Sequence, residues 1–150
     1  MSGADHKFQQ YQKHFVWEAK LVGDRRINPE YDGLNSEYVN EAIYRFIRGE
    51  YASQVSDAGV LGYVLAGEVG NIVADINQSM GNIRKNPSLP LSNHLRLVAP
   101  INDFRDIYQS QHAREGSQVV LHHLFLIFDF PWLGCQMGGT VTKKLLTGCY

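Results

Sequence analysis

The chain has 150 residues, 44% hydrophobic and 19% charged, with a formal net charge of −1. That suffices for one globular domain burying about two thirds of the surface its unfolded chain exposes. The composition excludes a disordered chain, no run approaches the ~20 apolar residues of a spanning helix, and the balanced charge excludes an overall cationic field.

In chain order, residues 1–6 lack the pattern of a secretory signal, and Cys135 and Cys149 fit no disulfide framework, so a reducing, cytoplasmic compartment and no membrane association are expected. The first strong element is a strand over 14–22. Alternation puts Phe15, Trp17, Ala19 and Leu21 on one face and Val16, Glu18, Lys20 and Val22 on the other, with the Cα atoms of Glu18 and Lys20 roughly 7 Å apart. Two largely apolar faces predict a central strand covered on both sides. Burying either charge unpaired costs several kcal/mol, so a partner, a metal or an open cleft is required there. The plainer alternative is a solvated pair that discourages pairing along an edge strand.

Residues 23–34, broken by Pro29 and Gly33, read as a loop. From Ser36 to Arg48 the spacing of Tyr38, Val39, Ala42, Ile43, Phe46 and Ile47 predicts a helix, with Asn35 or Ser36 as cap and Gly49 beyond its end. Residues 58–66 predict a buried strand in which glycines allow a close approach. A second helix is predicted over 68–83, then strands over 94–99, 104–112 and 118–128, the last two forming a hairpin. One more short element is placed at 140–146. This order predicts an α/β fold, a mixed central β-sheet flanked by helices.

The stretches Phe15-Val16-Trp17-Glu18-Ala19-Lys20-Leu21, Tyr38 to Phe46, Tyr51-Ala52, Gly59 to Val64, Tyr108 to Arg114 and the strand from Val119 to Phe128 resemble small bacterial members of the PD-(D/E)xK nuclease superfamily. The similarity spans about residues 5–128 and implies a single restriction-endonuclease-like domain with a tail over 129–150. It implies a metal-dependent nuclease hydrolysing DNA phosphodiester bonds in a bacterial defence or nucleic-acid-processing system. In that family Glu18 and an upstream Asp hold Mg²⁺ (or Mn²⁺), and Lys20 orients or helps deprotonate the attacking water. A hard cation takes carboxylate oxygens at about 2.0 to 2.1 Å and activates water, while a nearby ammonium stabilises developing charge. The acid upstream of Glu18 is Asp5, either the metal-holding aspartate the resemblance implies or a terminal acid of no consequence, and Ala4 stands where the motif has proline. The four residues before Asp5 leave no room for the helix that supplies a further acid in many members. Glu41 is an alternative acid. A nuclease-fold module that no longer cuts and binds a partner protein or nucleic acid is the second expectation.

Arg45, Arg48, His112 and Arg114 are candidate nucleic-acid contacts, weighed against salt bridges to Glu37 or Glu41 and against a hydrogen-bonded cluster formed by Tyr108, Ser110, His112 and Arg114. His122 and His123 are adjacent on a strand, face opposite ways and cannot chelate one ion together. A homodimer is the expected assembly for an enzyme cutting both strands.

Overall fold

The computed structural model describes residues 15–82, 86–98 and 106–128. Asp5, the element at 140–146 and the tail over 129–150 lie outside these residues. The described chain forms β1 (Val16–Val22), α1 (Tyr31–Glu37), a π-helical stretch (Tyr38–Ile43), α2 (Tyr44–Ile47), β2 (Asp57–Val64), α3 (Val69–Met80), a 3₁₀ turn (Leu91–Asn93), β3 (Arg96–Leu97), β4 (Ile107–Arg114) and β5 (Ser117–Ile127). The strands make one mixed sheet in the order β1-β2-β5-β4-β3. β1, β2 and β5 are parallel, and β4 and β3 return antiparallel.

The α/β expectation holds, but β1 is not central: among the described residues it is an edge strand, paired to β2 alone. Nor do the described helices cover it on two sides. Phe15, Trp17 and Leu21 are 45%, 47% and 48% exposed, whereas Val22 is fully buried. The first helix also begins earlier than the apolar spacing suggests, at Tyr31, directly after Pro29 and Glu30. Pro29 presets a helical φ near the start, and at Gly33 inside α1 a Cβ would meet nothing within 4 Å, so packing does not require glycine there. Asn35 and Ser36, the two expected caps, instead lie within α1, with Asn35 buried. Asn35 accepts from the Gly23 N–H at 3.2 Å and donates to the Gly23 carbonyl at 2.8 Å, tying the helix to the end of β1.

The π-helical stretch widens one turn in mid-helix, and the Tyr44 N–H reaches back five residues to the Val39 carbonyl. Tyr38, Val39, Ala42, Ile43, Tyr44 and Phe46 are all buried as a result, a broader apolar stripe than regular helical spacing provides. They join Ile72, Val73, Ile76 and Met80 of α3 and the helix-facing strand residues Val22, Val60, Val64, Val119, Leu121 and Phe125 in one core.

Each glycine of Gly59-Val60-Leu61-Gly62 serves one face of β2. A Cβ on Gly62 would lie 2.6 Å from the Phe125 ring on the inner face, and one on Gly59 would lie 2.1 Å from the Trp17 ring on the outer face. At Gly67, with φ +99°, a side chain would strike Asp24 at 2.2 Å. That close approach brings the β2–α3 turn against the β1–α1 loop, where the Asp24 N–H donates to the Ala66 carbonyl at 3.0 Å.

Candidate metal and nucleic-acid site

Glu18 and Lys20 project from the helix-facing side of β1 and meet, Lys20 Nζ lying 3.2 Å from Glu18 Oε1. Their side chains are 24% and 23% exposed, so the pair is neither sealed in the core nor free in bulk water. Edge position explains this: the side chains point inward, but no described strand closes the far side.

Among the described residues no three or more His, Cys, Asp or Glu side chains come together as a metal-binding group. Mg²⁺ asks for less than such a cage, since it keeps several waters and takes one or two carboxylates plus substrate phosphate. Glu18 is a hard, partly accessible carboxylate of that kind and would be one half of such a set. Glu41, the alternative acid, is engaged on the solvent side of the helix by Arg45 at 2.6 Å.

The candidate cations are already committed within the chain. Arg45 bonds Glu41 and the Tyr51 hydroxyl, and it stacks over the Tyr51 ring at 5.4 Å. The Tyr51 hydrogen bond, ahead of its acidic neighbours, raises the guanidinium above its ordinary pKa. Arg48 pairs with Glu50 at 2.6 Å and donates to Asn86 at 3.1 Å. Arg114 points inward and donates to the carbonyls of Phe46, Ala52 and Val55, closing the end of α2 and the loop after it. Arg48 does border a groove of about 860 Å³ on the first helix, together with Glu30, Glu37 and Glu41. Three acids to one base make it a poor match for a polyanion.

His112 is 1% exposed and belongs to a buried chain of hydrogen bonds that crosses the inner face of the sheet. The Tyr38 hydroxyl meets His123 Nδ1, His123 Nε2 meets Ser110 Oγ, and Ser110 Oγ meets His112 Nε2, each at 2.8 Å. Desolvation, then His94, holds the His112 imidazole down to about 4. Desolvation, then His112 and His122, holds His123 down to about 3. Burial alone pushes the Tyr38 phenol well above its usual range. The relay is therefore neutral near pH 7. Among the described residues His112 Nδ1, where the relay ends, has no hydrogen-bond partner, and neither has the nearby His94 Nε2. His94 also borders a cleft of about 190 Å³ with Ser92, Arg96 and Gln109. The polar alternation along 108–114 signals the Ser110 and His112 end of this relay, but no local pattern announces its partner Tyr38, which lies 85 positions from His123.

His122 faces the opposite side, with Nε2 3.3 Å from Asp57 Oδ1 and its ring 6.0 Å from that of Phe15. A second polar cluster was not legible in the sequence. Asp24 and Asp75, 3% and 2% exposed, are held by Arg25 and Arg26: Arg25 Nε lies 3.0 Å from Asp75 Oδ1 and Arg26 Nη1 2.9 Å from Asp24 Oδ1. The Arg26 backbone N–H, more than any other contact, keeps the Asp24 carboxyl below its usual range, with Asn71 also donating at 2.7 Å. These contacts bind the β1–α1 loop to α3 and leave neither Asp24 nor Asp75 accessible.

Comparison with protein-family models, curated proteins and solved structures returned no match. No helix among the described residues is long and apolar enough to cross a membrane.

Proposed function

We propose that the protein is a divalent-metal-dependent nuclease of the PD-(D/E)xK kind acting on DNA phosphodiester bonds, with Glu18 as metal ligand and Lys20 beside the attacking water. The observation that carries this reading is the convergence of the two charges, 3.2 Å apart, on the inward side of an otherwise apolar strand. Partial exposure leaves the carboxylate reachable by a hydrated cation, and the ammonium supplies positive charge where a phosphodiester would gain negative charge. When bound, Mg²⁺ or Mn²⁺ would activate water and offset charge on the phosphate. Glu18 offers its carboxylate to the cation, and the Lys20 side chain beside it stabilises developing negative charge.

The test is cleavage of supercoiled plasmid with Mg²⁺ or Mn²⁺. Wild type is expected to nick or linearise it, and Lys20→Ala and Glu18→Gln to reduce the rate by on the order of 10² or more, as for loss of one electrostatic stabiliser. Equal rates in all three, or no cleavage by wild type with either metal, would sink the reading.

One observation favours a second reading, a nuclease-fold module that binds nucleic acid or a partner protein without cutting: Glu18 and Lys20 satisfy each other directly, and charged side chains pointing inward from an edge strand are a known protection against strand addition. Calorimetric titration with Mn²⁺ separates the two, because this reading predicts no uptake that Glu18→Gln abolishes.

A further inference from the structure

The described helices cover one face of the sheet only. On the other, Phe15 and the β1 residues Trp17 and Leu21 are about half exposed and continue into the partly buried Leu61 and Tyr63 of β2 and Leu124 of β5. Three adjacent parallel strands with one apolar face in water are at odds with the physics of parallel sheets, which are covered on both sides. This area is also more contiguous than the scattered apolar residues of an ordinary surface.

We propose that residues 129–150 of the same chain lie across this outer face and form the second covering layer of the sheet. Connectivity is the first argument. β5 is the central strand of the five, so the chain leaves the middle of the sheet rather than a rim. Its last described residue, Phe128, already rests on the outer face, its ring centroid 5.7 Å from that of Tyr63.

Composition is the second argument. The 22 residues from Asp129 to Tyr150 include Phe130, Trp132, Leu133, Val141, Leu145 and Leu146, whereas residues 1–14 offer Phe8 and Tyr11 as their large apolar side chains beyond Met1. Reach is the third. Five strands at about 4.8 Å spacing make the sheet on the order of 20 Å wide, and the nine residues from Asp129 to Met137 span up to ~30 Å when extended. Gly138-Gly139 then permits reversal, so that Val141, Leu145 and Leu146 return over the same surface. A tethered segment also competes at a millimolar effective concentration, which a second copy of the chain does not reach at ordinary protein concentrations.

The chain supplies its own chemical probes, because its two cysteines, Cys135 and Cys149, both lie in this segment. In full-length protein carrying Leu61→Cys on the outer face, a short bismaleimide is expected to join the introduced thiol to Cys135 or Cys149 within one chain. Ala74→Cys, on the exposed side of α3, gives no such link. With Trp132→Phe leaving Trp17 as sole emitter, Trp17 is expected to be blue-shifted and several-fold protected from acrylamide, and Leu145→Asp with Leu146→Asp removes that protection. Links between chains rather than within one would assign the face to a second copy and overturn the proposal. Protection lost only on Phe8→Asp with Tyr11→Asp would assign it to the N-terminal residues. Equal linking from positions 61 and 74, or a Trp17 freely quenched in the starting protein, would leave the face uncovered.

Discussion

Single side chains decide the chemistry of the inner face, and two imidazoles show how. His112 and His123 are held below the ordinary imidazole value of 6.5, at about 4 and about 3, chiefly because burial penalises the charged form. The unfolded chain binds protons at both positions below about pH 6.5, and the folded chain does not until pH falls through those lower values. Stability from this source is therefore complete above pH 6.5 and falls as pH drops, with a slope approaching about 1.4 kcal/mol per pH unit for each imidazole. Urea midpoints at pH 7, 5.5 and 4.5 are expected to fall steadily in wild type and less steeply in His123→Gln; parallel slopes would contradict the assignment. Ser110 is the junction of the relay. Ser110→Ala leaves the Nε2 atoms of both imidazoles without a partner, and a loss of about 1–3 kcal/mol per orphaned group is expected from chemical denaturation at pH 7. The sequence carried part of this: the opposite facing of His122 and His123 follows from strand alternation, and so does the clustering of Ser110 with His112. Tyr38 did not, since its pairing with His123 depends on how the first helix lies across the sheet.

Among the elements, most strands and helices were legible because each carries its own period, two for strands and near 3.6 for α3 and for the apolar positions from Tyr38 to Ile47. Neither the π-helical stretch nor the early start of α1 was, because the first depends on what the helix packs against and the second on a turn at Pro29. The edge position of β1 was also hidden, since an apolar strand reads the same at an edge whose outer face awaits a cover. Arg114 illustrates a role set between elements. Its guanidinium bridges three carbonyls from α2 and the following loop, a fork that an ammonium cannot reproduce. Arg114→Lys is expected to cost about 1–2 kcal/mol and to raise hydrogen exchange over residues 49–56, with any effect on DNA affinity secondary to that loosening. Gly62→Ala, which pushes a methyl group against the Phe125 ring, is expected to cost about 1–3 kcal/mol by thermal denaturation.

At the scale of the whole molecule, the α/β class and the mixed sheet followed from element order, whereas strand order did not: nothing local places β5 between β2 and β4. A metal bound to the folded state and not to the unfolded one stabilises the entire domain. Mn²⁺ at 100 times its dissociation constant is expected to add about 2.7 kcal/mol to wild type and nothing to Glu18→Gln. An equal gain in both would move the ion away from Glu18. The placement of β5 also matters for how the protein is made. Ser117 follows Val64 by 53 positions, so a growing chain displays the bonding edge of β2 for roughly 3–10 seconds before its neighbour is synthesised. Throughout that interval one edge of Asp57–Val64 stands unpaired, open to the addition of a foreign strand until its own partner emerges.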